Sequence, residues 1–369
     1  MNNKEFCLSI LEKAGIPINS TEPWSMQVHD ERLWDRVVAQ HQLGLGEAYI
    51  EGWWDCPNID QMLTRLLSID ANLLLRPSAT VVLHHLRSRV LNHQTKTKAA
   101  KNAKHHYNRG NELYIRMLDP EMAYSCGYWK DASNLNQAQI NKFDLICRKL
   151  KLEPGMTLLD IGSGWGGLLR HAVKNYGVTG YGISPADEQI SLAREMSSGL
   201  DITFMQKDYR ELSGQFDRVV SVGMMEHVGP KNLGTFFATC HQLLKADGIM
   251  LHHTISSTYS KNSTDAFFDK YIFPGGVLPS VAQIGVACEK KFIIEDLHNF
   301  GLDYDKTLMA WYENIYLRWE EIPRYDLKFV RMWNYYLLAS AAGFRARNLH
   351  LIQMVFRRGG QKPAYIPER

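Results

Sequence analysis

Two sets of residues in the 369-residue chain have types and spacing that could do chemistry. The first is Gly162-Ser163-Gly164-Trp165-Gly166-Gly167, which follows the apolar run MTLLDI, with Asp160 near the end of that run, and precedes a helical stretch. Glycines where a strand gives way to a helix let a ligand approach backbone N–H groups. By itself such a loop serves a dinucleotide, a flavin or tight packing. The second set is scattered: Cys126, the pair Glu226-His227, His253 and Tyr304. Taken singly, each has a structural reading. A buried Cys is a small hydrophobe, a strand His is a satisfied core residue, Glu226 beside His227 is an ion pair at a helix start, and Tyr304 reads as a loop residue.

The elements that must position these groups follow from periodicity. From about residue 150, the short β-rich runs MTLLDI, VTGYGI, ITFMQK, FDRVVSV and GIMLHHTI alternate with helical stretches such as LLRHAVKNYG and DEQISLAREMSS. This alternation predicts an α/β fold, a parallel sheet covered by helices on both faces. Asp208 then follows the third strand. A dinucleotide site of the NAD type calls for an acidic residue closing the second strand, and here that strand ends in Ser184. From about residue 256 onward, KYIFPGGVLPS and the aromatic tract from Trp311 to Phe344 predict helical insertions and a lid rather than further strands. The first 95 residues read as a small helical domain, in which the Trp53-Trp54 pair belongs to a core or domain interface. Between Asp70 and Glu112 every charged residue is basic, including Arg76, Arg87, Arg89, Lys96, Lys98, Lys101, Lys104 and Arg109. Such a stretch is a solvated linker or a face for anionic lipid, where each Lys or Arg is worth about 1 kcal/mol.

Composition narrows the class. Hydrophobic residues at 45% and charged residues at 22% are those of a folded protein. A net charge of +3, from 42 basic and 39 acidic residues, argues against a nucleic-acid partner. Six cysteines without a C-x-x-C pair argue against a disulfide framework or a metal site and fit a reducing cytoplasm. The first residues lack a secretory pattern, and no uncharged apolar stretch reaches the length of a membrane span, so a cytoplasmic protein is expected.

Seven ordered motifs carry a closer resemblance: HYNRGNELY (106–114), YSCGYW (124–129), LLDIGSGWGG (158–167), GMMEHVGPKN (223–232), LHHTI (251–255), DYDKTLMAWY (303–312) and FRAR (344–347). An acidic residue before G-x-G with Asp208 after the third strand resembles class I S-adenosylmethionine-dependent methyltransferases. All seven motifs together resemble the cyclopropane-fatty-acyl-phospholipid synthase family in its long bacterial form, over nearly the whole chain and including GLGEAYIEGWWD. Mycolic-acid cyclopropane synthases are similar only from about residue 105.

The resemblance implies a Rossmann-like methyltransferase domain over 106–369 with helical lid insertions, a mainly helical N-terminal domain over 1–95, and a basic linker over 96–105. It implies methylenation of a cis double bond in a phospholipid acyl chain, with S-adenosylmethionine and a bicarbonate ion as cofactors. The cofactor set is Tyr124, Ser125, Asp160, Gly162, Ser163, Gly164, Trp165, Gly166, Ser184, Gln189, Lys207 and Asp208. Within it, Asp160 lies near the amino-acid end of the cofactor and Asp208 accepts from the adenine amine. The catalytic set holding bicarbonate is Cys126, Glu226, His253, the backbone of Ile255, and Tyr304. Methyl transfer to an isolated alkene makes a carbocation, so a base must take a proton from the new methyl group before the ring can close. Tyr128, Trp129, Trp311 and Tyr312 could offer aromatic faces to that cation. No metal is implied. Partners are a bilayer, met peripherally at the inner face of the cytoplasmic membrane, and a second copy in a homodimer. Two positions depart from the family: Ser184-Pro185-Ala186, where Pro185 lacks an amide donor, and Ser340, where some members have a cysteine. Methyl branching, small-molecule methylation on the same scaffold, and a non-catalytic lipid-docking role are the alternatives.

Overall fold

The computed structural model describes residues 2–69, 94, 110–360 and 363–369. The chain begins with α1 (Asn3–Lys13), capped reciprocally: the Asn2 side chain accepts from the Glu5 amide at 2.8 Å, and the Glu5 carboxylate accepts from the Asn2 amide at 3.0 Å. Then follow β1 (Gln27–Val28), α2 (Leu33–Ile50), β2 (Trp54–Asp55) and α3 (Ile59–Ser68). The two short strands pair antiparallel. The basic stretch, including Lys96, Lys98, Lys101 and Lys104, lies outside the described residues.

After α4 (Asn111–Met117) and α5 (Leu135–Lys149), strand and helix alternate as expected: β3 (Thr157–Ile161), α6 (Gly167–Tyr176), β4 (Thr179–Ile183), α7 (Asp187–Met196), β5 (Ile202–Met205), β6 (Phe216–Val222), α8 (Leu233–Leu243) and β7 (Leu244–Ser257). These five strands are parallel, in the order β5-β4-β3-β6-β7. The chain continues through α9 (Ala266–Tyr271), α10 (Val281–Cys288), β8 (Phe292–Asn299), α11 (Leu302–Tyr316), α12 (Leu327–Arg345) and β9 (Leu349–Arg358).

The expectation that only helices follow residue 256 is corrected here. Strand β9 runs antiparallel between β7 and β8, giving a mixed sheet of seven strands. Its core, LIQMVF (351–356), is buried throughout, as a central strand should be. Strand β8 lies at the sheet edge, and its charged and polar residues hide the strand signal. Tyr304 is likewise not in a loop. It sits in the first turn of α11, whose buried Tyr304, Leu308, Trp311 and Ile315 recur at helical spacing.

The N-terminal elements share one apolar core with α11 and α12. Trp54 is fully buried, its ring 6.3 Å from Tyr335 and 5.0 Å from Tyr49. Arg331 of α12 donates to the Tyr49 and Trp54 carbonyls and pairs with Asp55 at 2.7 Å. Arg345 bridges Asp60 of α3 and Asp305 of α11. Helix α2 approaches so closely at Gly46 that a Cβ there would lie 2.5 Å from Phe267 and 3.1 Å from Tyr335. Gly46→Val should therefore destabilise the fold by about 1–3 kcal/mol, read as a lower urea midpoint. An unchanged midpoint would show that α2 does not press on α9 and α12.

Candidate active site

Strand β3 stands where the strand order reverses: the chain runs to β4 and β5 on one side and returns to β6 on the other. In open α/β sheets ligands bind in the crevice at that point, at the carboxyl ends of the strands. A cleft with an empty volume of about 1190 Å³ opens there. Every residue of the expected cofactor set except Gly166 lines it. Gly166 instead caps α6 with φ of 83°, and a Cβ there would stand 2.5 Å from Phe204. The bend that aims the loop into the cleft thus needs glycine.

Local bonds fix the lining. The Tyr124 hydroxyl meets that of Tyr336 at 2.7 Å, the Trp165 indole donates to Asn111 at 3.1 Å, and Ser184 donates to Gln189 at 3.0 Å. Asp208 caps a short turn and holds Arg210 through two bonds of 2.7 and 2.6 Å.

One end of the cleft carries buried ionisable groups. Asp160 is buried with Oδ1 unpartnered among the described residues, and burial pushes its carboxyl up to about 7. The fully buried Lys142 of α5 donates to Ser125 Oγ at 2.8 Å. Burial draws this ammonium down to about 8, against the favourable fields of Asp119, Cys126 and Asp160. Lys142 was not singled out from the sequence: QAQINK is an ordinary amphipathic helix turn there. Arg210 and Gln94 also line the cleft and carry no motif signal, and His227 of the motif GMMEHVGPKN lines it as well.

Next to this cleft lies the expected catalytic set. Glu226 sits in a short helical turn after β6, and its Oε1 accepts the Ile255 amide of β7 at 2.7 Å. The amide of Ile255, the residue whose backbone is expected to face an anion, thus bonds Glu226 and orients its carboxyl. Glu226 pairs with this amide rather than in an ion pair with His227. Its other oxygen, Oε2, is buried and unpartnered among the described residues, and burial raises the carboxyl to about 7. His253, two residues before Ile255, is buried with Nε2 unpartnered among the described residues, and burial with nearby Lys142 and Lys149 keeps it neutral. Cys126 is buried beside Ser125, and burial pushes its thiol well up, so it stays protonated. Tyr304 packs on Phe344 at 4.6 Å with the rings tilted by 31°, and meets the edge of Trp311, which lies 5.1 Å from Tyr124.

Of the four aromatic side chains expected to face a cation, Trp311 alone has ring contacts to both residue sets. Tyr128 packs on His298 and Phe300, Trp129 hydrogen-bonds Thr307, and Tyr312 stacks with Tyr316. Those three serve the packing of α11 and β8, because α11 turns their neighbours toward other elements.

The chain is similar to known proteins over most of its length. A family model described as mycolic acid cyclopropane synthetase matches residues 94–354. Over 351 residues the chain is 48% identical to the cyclopropane-fatty-acyl-phospholipid synthase of Escherichia coli (strain K12), covering 95% of this chain and 92% of that relative. The crystal structure of mycolic acid cyclopropane synthase CmaA1 complexed with SAH and CTAB superposes with a TM-score of 0.66 at 30% identity, over 70% of this chain and 98% of that one. A coclaurine N-methyltransferase shares the fold, with a TM-score of 0.70 at 17% identity over 85% of this chain and 99% of its own.

The raised carboxyl of Glu226 has a measurable consequence. Its folded pKa of about 7 lies above the ordinary 4.5, so its stabilising contribution is full at low pH and is lost as pH rises from 4.5 through about 7. Glu226→Gln keeps the acceptor for Ile255 and removes that loss. The variant should be more stable than the parent at pH 8, by on the order of 3 kcal/mol, and much less so at pH 5. Equal urea midpoints at pH 8 would contradict the burial of this carboxyl.

Proposed function

The chain belongs to the mycolic acid cyclopropane synthetase family, and on that premise we propose that it converts cis double bonds of unsaturated phospholipid acyl chains into cyclopropane rings. It is an S-adenosylmethionine-dependent methyltransferase that cyclopropanates lipid. The observation that supports the finer reading is the glycine-loop cleft together with two buried polar atoms near it, Glu226 Oε2 and His253 Nε2, that have no partner among the described residues.

In this reading Asp160 takes the ammonium of the methyl donor, and the positive field of that donor favours its ionised form. Asp208 accepts from the adenine amine. An alkene carbon attacks the sulfonium methyl, the C–S bond breaks, and the other alkene carbon becomes cationic. The Trp311 face, held between Tyr124 and Tyr304, stabilises that charge where water is excluded. Loss of a proton from the transferred methyl releases the C–H electron pair for the second C–C bond, closing the ring. A bicarbonate ion bound here would supply the base for that proton. Glu226, His253, Cys126 and Tyr304 would hold it. The near-neutral carboxyl of Glu226 can donate to an anion, which a fully ionised one could not. Cys126, kept as a thiol, is unsuited to attack.

No helix among the described residues is long and apolar enough to cross a membrane, which fits peripheral contact with the inner face of the cytoplasmic membrane. A homodimer and the absence of a nucleic-acid partner complete the proposal.

Purified protein with S-adenosylmethionine should release S-adenosylhomocysteine faster with unsaturated than with saturated phospholipid vesicles, and equal rates would overturn the acyl-chain assignment. Asp160→Asn should weaken S-adenosylmethionine binding about 10- to 100-fold in calorimetry, the worth of a hydrogen bond to a charged group. Unchanged affinity would move the ammonium contact elsewhere.

A further inference from the structure

We infer that Gln353 is the positioning residue that fixes the tautomer of His253 and so presents an Nε2–H donor to the catalytic shell. This rests on the proposal that His253 helps to hold an anion there. In the β7–β9 pairing Gln353 lies directly opposite His253, so their side chains stand on the same face of the sheet. Both are buried, and Gln353 Nε2 lies 3.2 Å from His253 Nδ1. An amide nitrogen only donates, so Nδ1 must be the acceptor and therefore carry no proton. A neutral imidazole then has its single proton on Nε2, the nitrogen left without a protein partner among the described residues.

The identity of residue 353 is hard to explain by packing. Its neighbours along β9, Ile352 and Met354, are buried apolar residues, and Gln353 Oε1 is buried without a partner among the described residues. A leucine would fill this place without an unpaired carbonyl, which is a destabilising group. The charged and titratable groups nearby would not supply the same bond. Lys142 and Lys149 act on His253 from α5, disfavouring its protonation, and Lys149 Nζ is directed to His298 Nδ1 at 3.1 Å and to Asp296 at 3.5 Å. His298, opposite Gln353 on β8, is thereby engaged on its other side. Gln353 is the group that touches the histidine ring nitrogen Nδ1, and it joins His253 to β9.

The test is long-range ¹⁵N NMR of the full-length protein labelled at histidine, with His253 assigned by its loss in His253→Asn. The expected wild-type spectrum has Nδ1 as the unprotonated and Nε2 as the protonated nitrogen. In Gln353→Glu, a carboxylate acceptor opposite Nδ1 should draw the proton to that nitrogen. A wild-type spectrum with the proton on Nδ1 overturns the inference, and so does a Gln353→Glu spectrum with no change at Nδ1. If Gln353→Glu does not fold, the wild-type spectrum alone decides. Kinetics of Gln353→Met in bicarbonate-depleted buffer give a second arm. The bicarbonate concentration for half-maximal rate should rise about tenfold, as expected for one weakened hydrogen bond to an anion, with S-adenosylmethionine affinity unchanged. A half-maximal concentration equal to that of the wild type would contradict a positioning role. Wild-type activity indifferent to bicarbonate would overturn the anion reading on which this rests while leaving the tautomer to the spectrum.

Discussion

The hydrogen bond from the Ile255 amide to Glu226 is the contact on which the catalytic half of the molecule depends. It ties the turn leaving β6 to the end of β7, at the edge of the sheet where a parallel α/β fold gathers its ligands. Two further backbone bonds reinforce the same place: Val277 donates to the Glu226 carbonyl and Gly223 to that of His253, each at 2.8 Å. With Oε1 committed to the backbone, the carboxyl has one oxygen left for chemistry. Its burial then holds it close to the point where it is half protonated at neutral pH.

Around that bond the polar groups are buried, where solvent screening is weak. Lys142 is the common element. It bonds Ser125 of the cofactor cleft, and its field acts on Asp160, Cys126 and His253 together. A buried ammonium is costly unless neighbouring carboxylates compensate it, and Asp119 and Asp160 stand in that role. Beside it the rings of Tyr304, Trp311 and Tyr124 pack in a row. Destabilising burial and unpartnered atoms collect at one place here, as they do where a site is kept poised for its ligands.

What could be read from the sequence was what is encoded locally. The first five sheet strands, the glycine loop and Asp160 followed from periodicity over a few residues, and the cleft lining followed from a resemblance carried by contiguous motifs. The buried place of Trp54 was legible for the same reason. What escaped depends on partners far apart in the chain. Gln353 meets His253 across 100 residues, Lys142 reaches Ser125 through a helix with no motif of its own, and the Ile255 amide meets Glu226 across 29 residues. Strand β8 was hidden by its edge position, and the helical spacing of Tyr304, Leu308, Trp311 and Ile315 was hidden by the acidic residues beside Tyr304.

The central claim is that the cleft and the buried groups around Glu226 act together to build a ring on an acyl chain. Mass spectrometry of fatty acids from a host lacking this activity, expressing either this chain or its Glu226→Ala form, addresses that claim most directly. The account predicts unsaturated chains heavier by one methylene, about 14 mass units, with the alkene lost and a ring revealed by ring-opening analysis, seen with the unaltered chain alone. A methyl branch with the alkene retained or shifted, or the same ring product from the Glu226→Ala form, would contradict it.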